Sequence, residues 1–143
     1  MAAGLSEPLY TRDILRLAAS IPGQKSFTEM GDAAIVRSPT CGSRVAMRVT
    51  LDDQGRVVSL DQAVEACAFG QAAAALAGDK AVGMSSADAA KAQVEVEHWL
   101  RGDEVAGWAA LAMLEPARGR RGRHGAILLP FRALAAAIAE ATR

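Results

Sequence analysis

Cys41 and Cys67 are the two thiols of the chain, and the residues between them read as a β-hairpin that would bring them together. Val45, Met47, Val49 and Leu51 alternate with Arg44, Arg48 and Thr50, the period-2 signature of a half-buried strand. Asp52-Asp53-Gln54-Gly55 breaks the pattern with turn residues, and Val57-Val58 begins a second β-branched run. Antiparallel pairing about the centre of that turn sets position 41 opposite roughly position 66, within about a side chain's reach. Neighbouring thiols at a sheet rim suit a metal site, a disulfide or a sulfur-handling centre. Cys41 falls on the loop between a first and a second strand, and Cys67 where a third strand gives way to an alanine-rich helix. A thiol at a helix N-terminus feels the positive end of the macrodipole, which favours the metal-binding thiolate. Glu65 would project to the same side as Cys67 if the chain is still extended there, as an extra ligand or simply a solvated carboxylate. His98, beside Trp99 within a helix, reads as a surface or packing residue.

The elements that must position these groups describe an α+β protein without repeats or a domain-sized linker. At 143 residues, 51% hydrophobic and 22% charged, the chain suits one globular domain over residues 1–143 with an adequate core. Tyr10, Ile14, Leu15, Leu17 and Ala18 form an apolar stripe on a first helix, stopped by Pro22-Gly23. Ala33 to Arg37 reads as the first strand. A helix opens after Cys67 and runs through the alanines to Gly78, and Ser85 with Asp88 three residues on reads as the N-cap of a helix to Gly102. Trp108, Leu111 and Leu114 mark a short helix ended by Pro116. A last helix carries Phe131, Leu134, Ala135 and Ile138, with Pro130 in its first turn. Three antiparallel strands covered by about five helices result.

Formal net charge is zero, so nothing global points to nucleic acid or an anionic membrane. The stretch from Met1 to Pro22 carries Glu7, Arg12, Asp13 and Arg16 and lacks the apolar core of a signal peptide. No segment reads as a membrane span of roughly 20 apolar residues. The expectation is a cytoplasmic protein, where paired cysteines are reduced and metal-binding or reactive rather than a structural disulfide.

Placed on this outline, the residues resemble the NifU-like or IscU-like iron-sulfur cluster assembly scaffolds. In that family a Pro-x-Cys-Gly-Asp segment opens a hairpin, a second cysteine heads a helix, and a His-Cys pair precedes the final helix. This chain has Pro39-Thr40-Cys41-Gly42-Ser43, then Glu65-Ala66-Cys67-Ala68-Phe69-Gly70, then Leu128-Leu129 and Ala133-Leu134 in the last helix. The order of elements is also similar from about Tyr10 to Ala141. The resemblance implies a non-enzymatic role in cluster assembly, with Cys41 and Cys67 as ligands, a cysteine desulfurase or other sulfur donor, and apo-protein recipients. Three departures qualify it. Ser43 replaces the family's aspartate, and a neutral hydroxyl is a poorer ligand. Ungapped alignment of the last helix puts Ala126 at the third cysteine and Gly125 at the histidine, leaving His124 one residue from the expected position as a third ligand. Leu114-Glu115-Pro116-Ala117-Arg118 matches only part of the Leu-Pro-Pro-Val-Lys segment that the family's dedicated chaperone binds.

A 2Fe-2S cluster takes four ligands, mostly thiolates, whereas one subunit here offers two thiolates and an imidazole. Three outcomes fit: a cluster shared across a homodimer or completed by an exogenous thiol, a mononuclear metal with an open position, or a vestigial site. A Cys2His set also suits zinc with water or substrate in the fourth place. Two other classes stand beside the scaffold reading. One is a metal-free adaptor that keeps the fold and binds a partner through Gly119-Arg120-Arg121-Gly122-Arg123-His124, together with Arg118, whose forks suit carboxylate or phosphate; the same segment also reads simply as a solvated flexible loop. These glycines predict a loop rather than a helix, and without aromatics the arginines are a weak nucleic-acid footprint. The other is a cysteine-nucleophile enzyme with His124 or Glu65 as base, which no motif supports. Ser43→Asp is expected to cost little stability.

Overall fold

The computed structural model describes residues 10–39 and 42–143; Thr40 and Cys41 lie outside it. The described elements are α1 (Arg12–Ala18), β1 (Ile35–Arg37), β2 (Arg44–Leu51), β3 (Val57–Glu65), α2 (Ala68–Ala81), α3 (Ser86–Leu100), α4 (Glu115–Arg118) and α5 (His124–Thr142). Two 3-10 turns, Ala109–Leu114 and Arg121–Arg123, precede α4 and α5. The strands form one antiparallel sheet in the order β1-β2-β3. This is the α+β architecture that the sequence predicts.

Period-2 alternation in β2 buries Val45, Met47 and Val49 against the helical layer, where α5 crosses the central strand and packs on α2 and α3. The opposite sheet face is not left to solvent. Residues 24–33 fold over it, sealing Met30, Ala46 and Ala63 into a small second cluster under Phe27 and Ala33. Arg44 stacks on the Phe27 ring at 3.9 Å, and the Arg48 guanidinium donates to the Met30 carbonyl. The same segment covers the outer edge of β3, where Lys25 N–H donates to Gln62 O and Gln62 N–H to Gly23 O. The Gln62 amide, fully buried, donates to the carbonyls of Pro22 and Ala74 at 3.0 and 3.2 Å, tying this cover to the sheet and to α2.

Several elements depart from the sequence reading. The hairpin register pairs Arg44 with Glu65, and two residues beyond that rung on the two strands stand Gly42 and Cys67. The slip from the turn-centred pairing arises at Thr50/Leu51, where Val58 has no partner rung and forms a bulge. Helix α2 runs past Gly78 to Ala81 because that glycine is a packing residue: a Cβ on it would lie 2.9 Å from the Gln62 amide and 3.1 Å from Pro22. In α1 the buried residue is Ile14, while Leu15 is exposed and Tyr10 packs on Phe69 with ring centroids 5.1 Å apart. Pro116 opens α4 rather than ending a helix. The arginine segment is a 3-10 turn leading into α5, and α5 therefore starts at His124 with Pro130 in its interior. By length and composition α5 with its lead-in, 22 residues, is apolar enough to cross a membrane. In this fold it is the central core helix, with Ile127, Leu129, Leu134 and Ile138 buried. The capping box of Ser85 and Asp88 at α3 is as predicted.

Candidate functional site

Where β3 ends, Cys67 turns the chain into α2. Its φ and ψ of -66° and 172° are those of an N-cap residue, but its side chain makes no capping hydrogen bond, so the half-buried sulfur is free to bind something else. Three residues on, Gly70 sets how closely the next helix approaches. A Cβ built there would fall 2.7 Å from the Ala66 methyl, 3.3 Å from the Ala126 carbonyl oxygen and 3.4 Å from the Ala126 methyl. Gly70 and Ala126 each lie in the first turn of their helix, so the N-termini of α2 and α5 meet. Gly70 was not foreseen as a contact residue; a glycine in the first turn of an otherwise alanine-rich helix is the signal that could have found it. Pro130 contributes to it, because its missing N–H leaves the Ala126 carbonyl without the usual partner one turn on.

His124 is the first residue of α5, and its Nε2 lies 2.8 Å from the Arg118 carbonyl oxygen. A carbonyl only accepts, so Nε2 donates in this contact, and in a neutral ring Nδ1 is the nitrogen with the lone pair. An imidazole oriented by donating one N–H to a backbone carbonyl while presenting its other nitrogen is the usual arrangement of a metal-ligating histidine. Arg118 is itself firmly held. Its Nε donates to Trp99 O at 2.7 Å, its Nη2 to Asp103 O at 2.8 Å, and the guanidinium stacks on the Trp99 ring at 4.5 Å. This role of Arg118 as an anchor removes it from any exposed arginine patch, and nothing in the sequence pointed to it. His98 is exposed, consistent with a surface residue.

Glu65 and Ser43 are not arranged as ligands. Glu65 pairs with Arg44, Oε1 to Nε at 2.9 Å, and that hydrogen bond holds its carboxyl below the ordinary glutamate range. Ser43 is 5% exposed, and its carbonyl accepts from Ser38 N–H at 2.9 Å. A carboxylate at position 43 would have to be desolvated, so Ser43→Asp is not the mild change the sequence suggests. Cys41 lies outside the described residues. Among the described residues no three His, Cys, Asp or Glu side chains gather into a metal-binding group; Cys67 and His124 lead the two helices whose first turns touch.

The fold, an antiparallel hairpin handing a thiol to a helix that packs on a long core helix, defines the class of this protein by its solved neighbours. No protein-family model matches the sequence, and no curated protein does. A NifU-like protein (N-terminal) from Brucella abortus, named as nitrogen-fixing, superposes with a TM-score of 0.80 at 28% identity, over 94% of each chain. A hypothetical protein at 21% identity gives 0.75, covering 92% of this chain and 97% of its own. A candidate iron-sulfur cluster assembly scaffold for the SUF system, from the thermophile Fervidobacterium islandicum, gives 0.71 at 18% identity, over 91% of this chain and 96% of its own. Over nearly its whole length, the chain resembles the NifU-like scaffold proteins and has their fold.

Proposed function

We propose that this protein acts in iron-sulfur cluster assembly as a scaffold-like or carrier protein, holding iron or a 2Fe-2S cluster as cargo. The observation that carries the reading is the likeness to the NifU-like N-terminal structure at 28% identity across 94% of both chains. The thiol of Cys67, uncapped at the head of α2, and the Nδ1 of His124 offer donors of the right chemistry, and Cys41, outside the described residues, is the third donor of the proposed Cys2His set. Ala126, 1% exposed beside Gly70, is the residue that the ungapped alignment sets against the family's third cysteine. The donor set is therefore thin for a cluster held by one subunit, and sharing across a homodimer or with an exogenous thiol makes up the difference. Zinc in the same Cys2His set is the mononuclear counterpart. A cytoplasmic setting, a cysteine desulfurase as sulfur donor and apo-protein recipients follow from this role. The buried methyl of Ala126 also supports a second reading, an adaptor that keeps the fold without the metal.

Anaerobic reconstitution with iron and sulfide, read by visible absorption and bound metal per chain, tests this. Cluster absorption in the wild type that Cys41→Ala and Cys67→Ala abolish and His124→Ala weakens is the expected result. No cluster and no tightly bound iron or zinc in the wild type would move the protein to the adaptor reading.

A further inference from the structure

Helices place acidic residues near their N-termini, where these complement the positive end of the macrodipole. The long helices of this protein divide on that point. Asp88 lies in the first turn of α3 and closes its capping box. The 19-residue α5 does the reverse: its first turn has no acidic residue, its N-cap is Arg123 without a side-chain capping bond, and Arg120 and Arg121 precede it. No acidic residue occurs in sequence between Glu115 and Glu140. Among the described residues the ion pairs use Arg44, Arg48, Arg56, Arg118 and Arg143, and none reaches Arg120, Arg121 or Arg123. Three arginines thus precede the positive end of a long helix, and among the described residues none of them is ion-paired, a local conflict that an anion from outside would relieve.

The segment is also built rather than loose. Arg120 N–H donates to Ala117 O and Arg123 N–H to Arg120 O, both at 2.9 Å, so the 3-10 turn is ordered before any partner arrives. Its base is anchored on one side by Arg118, bonded to two carbonyls, and on the other by the His124 ring on the Arg118 carbonyl. Arg120 and Arg121 are exposed. The turn feeds directly into the first turn of α5, which touches the first turn of α2 headed by Cys67.

From this geometry we infer that Arg120, Arg121 and Arg123 form a preorganised docking turn for an acidic segment of a partner protein, placed to bring that partner to the Cys67 and His124 end of the fold. Guanidinium forks match carboxylates two hydrogen bonds at a time, and an ordered turn loses little entropy on docking. An acidic protein segment fits better than RNA. The patch is short, it has no Phe, Tyr or Trp among residues 118–125 on which bases could stack, its one imidazole, His124, is tied to the Arg118 carbonyl, and the chain has no net charge. The inference deepens the cluster-assembly reading by giving its site a partner chemistry, and it rests on that reading for what the partner would do there.

The test uses the full chain without metal, so that docking and reconstitution are scored separately. A fluorescein-labelled oligoglutamate peptide is titrated by fluorescence anisotropy at low and at physiological salt, with an oligouridylate RNA of matched charge in parallel. The triple variant Arg120→Ser, Arg121→Ser, Arg123→Ser should bind the peptide about tenfold more weakly than wild type, the size expected for three surface arginine–carboxylate contacts. A control triple at the exposed Arg12, Arg101 and Arg132 should bind as wild type does. No peptide binding by the wild type, or equal losses in the two triples, overturns the inference. So does RNA binding tighter than the peptide that the first triple abolishes, which would assign the turn to nucleic acid. Circular dichroism and thermal unfolding establish that both triples are folded before the comparison is made.

Discussion

Replacing Gly70 with alanine tests the close approach of α2 and α5 on which the candidate site depends. In an open helix the change would stabilise by about 1 kcal/mol, because glycine is a poor helix former. Here the new methyl would sit 2.7 Å from the Ala66 Cβ and 3.3 Å from the Ala126 carbonyl oxygen. Neither neighbour can swing aside: one is a β-carbon fixed to the backbone just before Cys67, the other a main-chain oxygen in α5. Overpacking of this kind costs roughly 1–3 kcal/mol, which offsets or outweighs the propensity gain and leaves Gly70→Ala up to about 2 kcal/mol less stable than wild type. Urea unfolding would measure this directly, and the melting temperature should fall by about 3 °C for each kcal/mol. Two comparisons isolate the cause. Gly122→Ala, which meets nothing within 4 Å, should be neutral within about 0.5 kcal/mol. Removing the nearest contact with Ala66→Gly in the Gly70→Ala background should reveal a favourable coupling of about 1 kcal/mol. A Gly70→Ala protein about 1 kcal/mol more stable than wild type, the gain an open helix would give, would refute the approach, and with it the argument that Ala126 adjoins the Cys67 end of α2.

Three further outcomes follow from the packing and charge. Arg118→Ala should cost about 2–3 kcal/mol by stripping the carbonyls of Trp99 and Asp103 of a charged donor. Arg118→Lys should recover less than half of it, since an ammonium cannot reproduce the fork; full recovery in urea unfolding would contradict the assignment. Glu65, Glu29 and Asp88 all have carboxyls held below their ordinary values, by hydrogen bonds from Arg44, from Ser26 and from Ser85 respectively. The folded state therefore binds fewer protons than the unfolded one, so their stabilisation is complete above the ordinary carboxylate range and is lost as pH falls through the folded values. Melting temperature followed from about pH 6 down to about pH 3 should drop less steeply in a Glu65→Gln, Asp88→Asn double variant, and an unchanged slope would disprove the linkage. Ser43→Asp should destabilise by about 2 kcal/mol at neutral pH through burial of a carboxylate. The loss should shrink in acid, where the group is neutral; a pH-independent loss would mean that the side chain escapes to water.

Local chemistry by itself determined much of this protein. Alternation in residues 44–51 requires a one-sided strand, Asp52 to Gly55 requires a turn, and the alanine run and the Ser85–Asp88 box require helices, because each pattern satisfies its backbone and buries its apolar face without distant help. These elements in order, together with the Pro39-Thr40-Cys41-Gly42 segment and Cys67 ahead of a helix, were enough to make the likeness to the NifU-like scaffolds legible. What the tertiary structure decided lay in contacts between segments far apart in the chain. The bulge at Val58 slid the hairpin by more than turn symmetry allows, since a sheet trades one unpaired residue for a better match of its buried face. Residues 24–33 covered the second sheet face and turned Ala46 into a core residue, although nothing in that segment is periodic. Pro130, a helix starter in isolation, sits inside α5 because the packed core repays the missing hydrogen bond, and the carbonyl it frees lies beside Gly70. Arg118, one more cation in an arginine-rich stretch by sequence, became the anchor of the His124 ring only once α3, α4 and α5 were packed together.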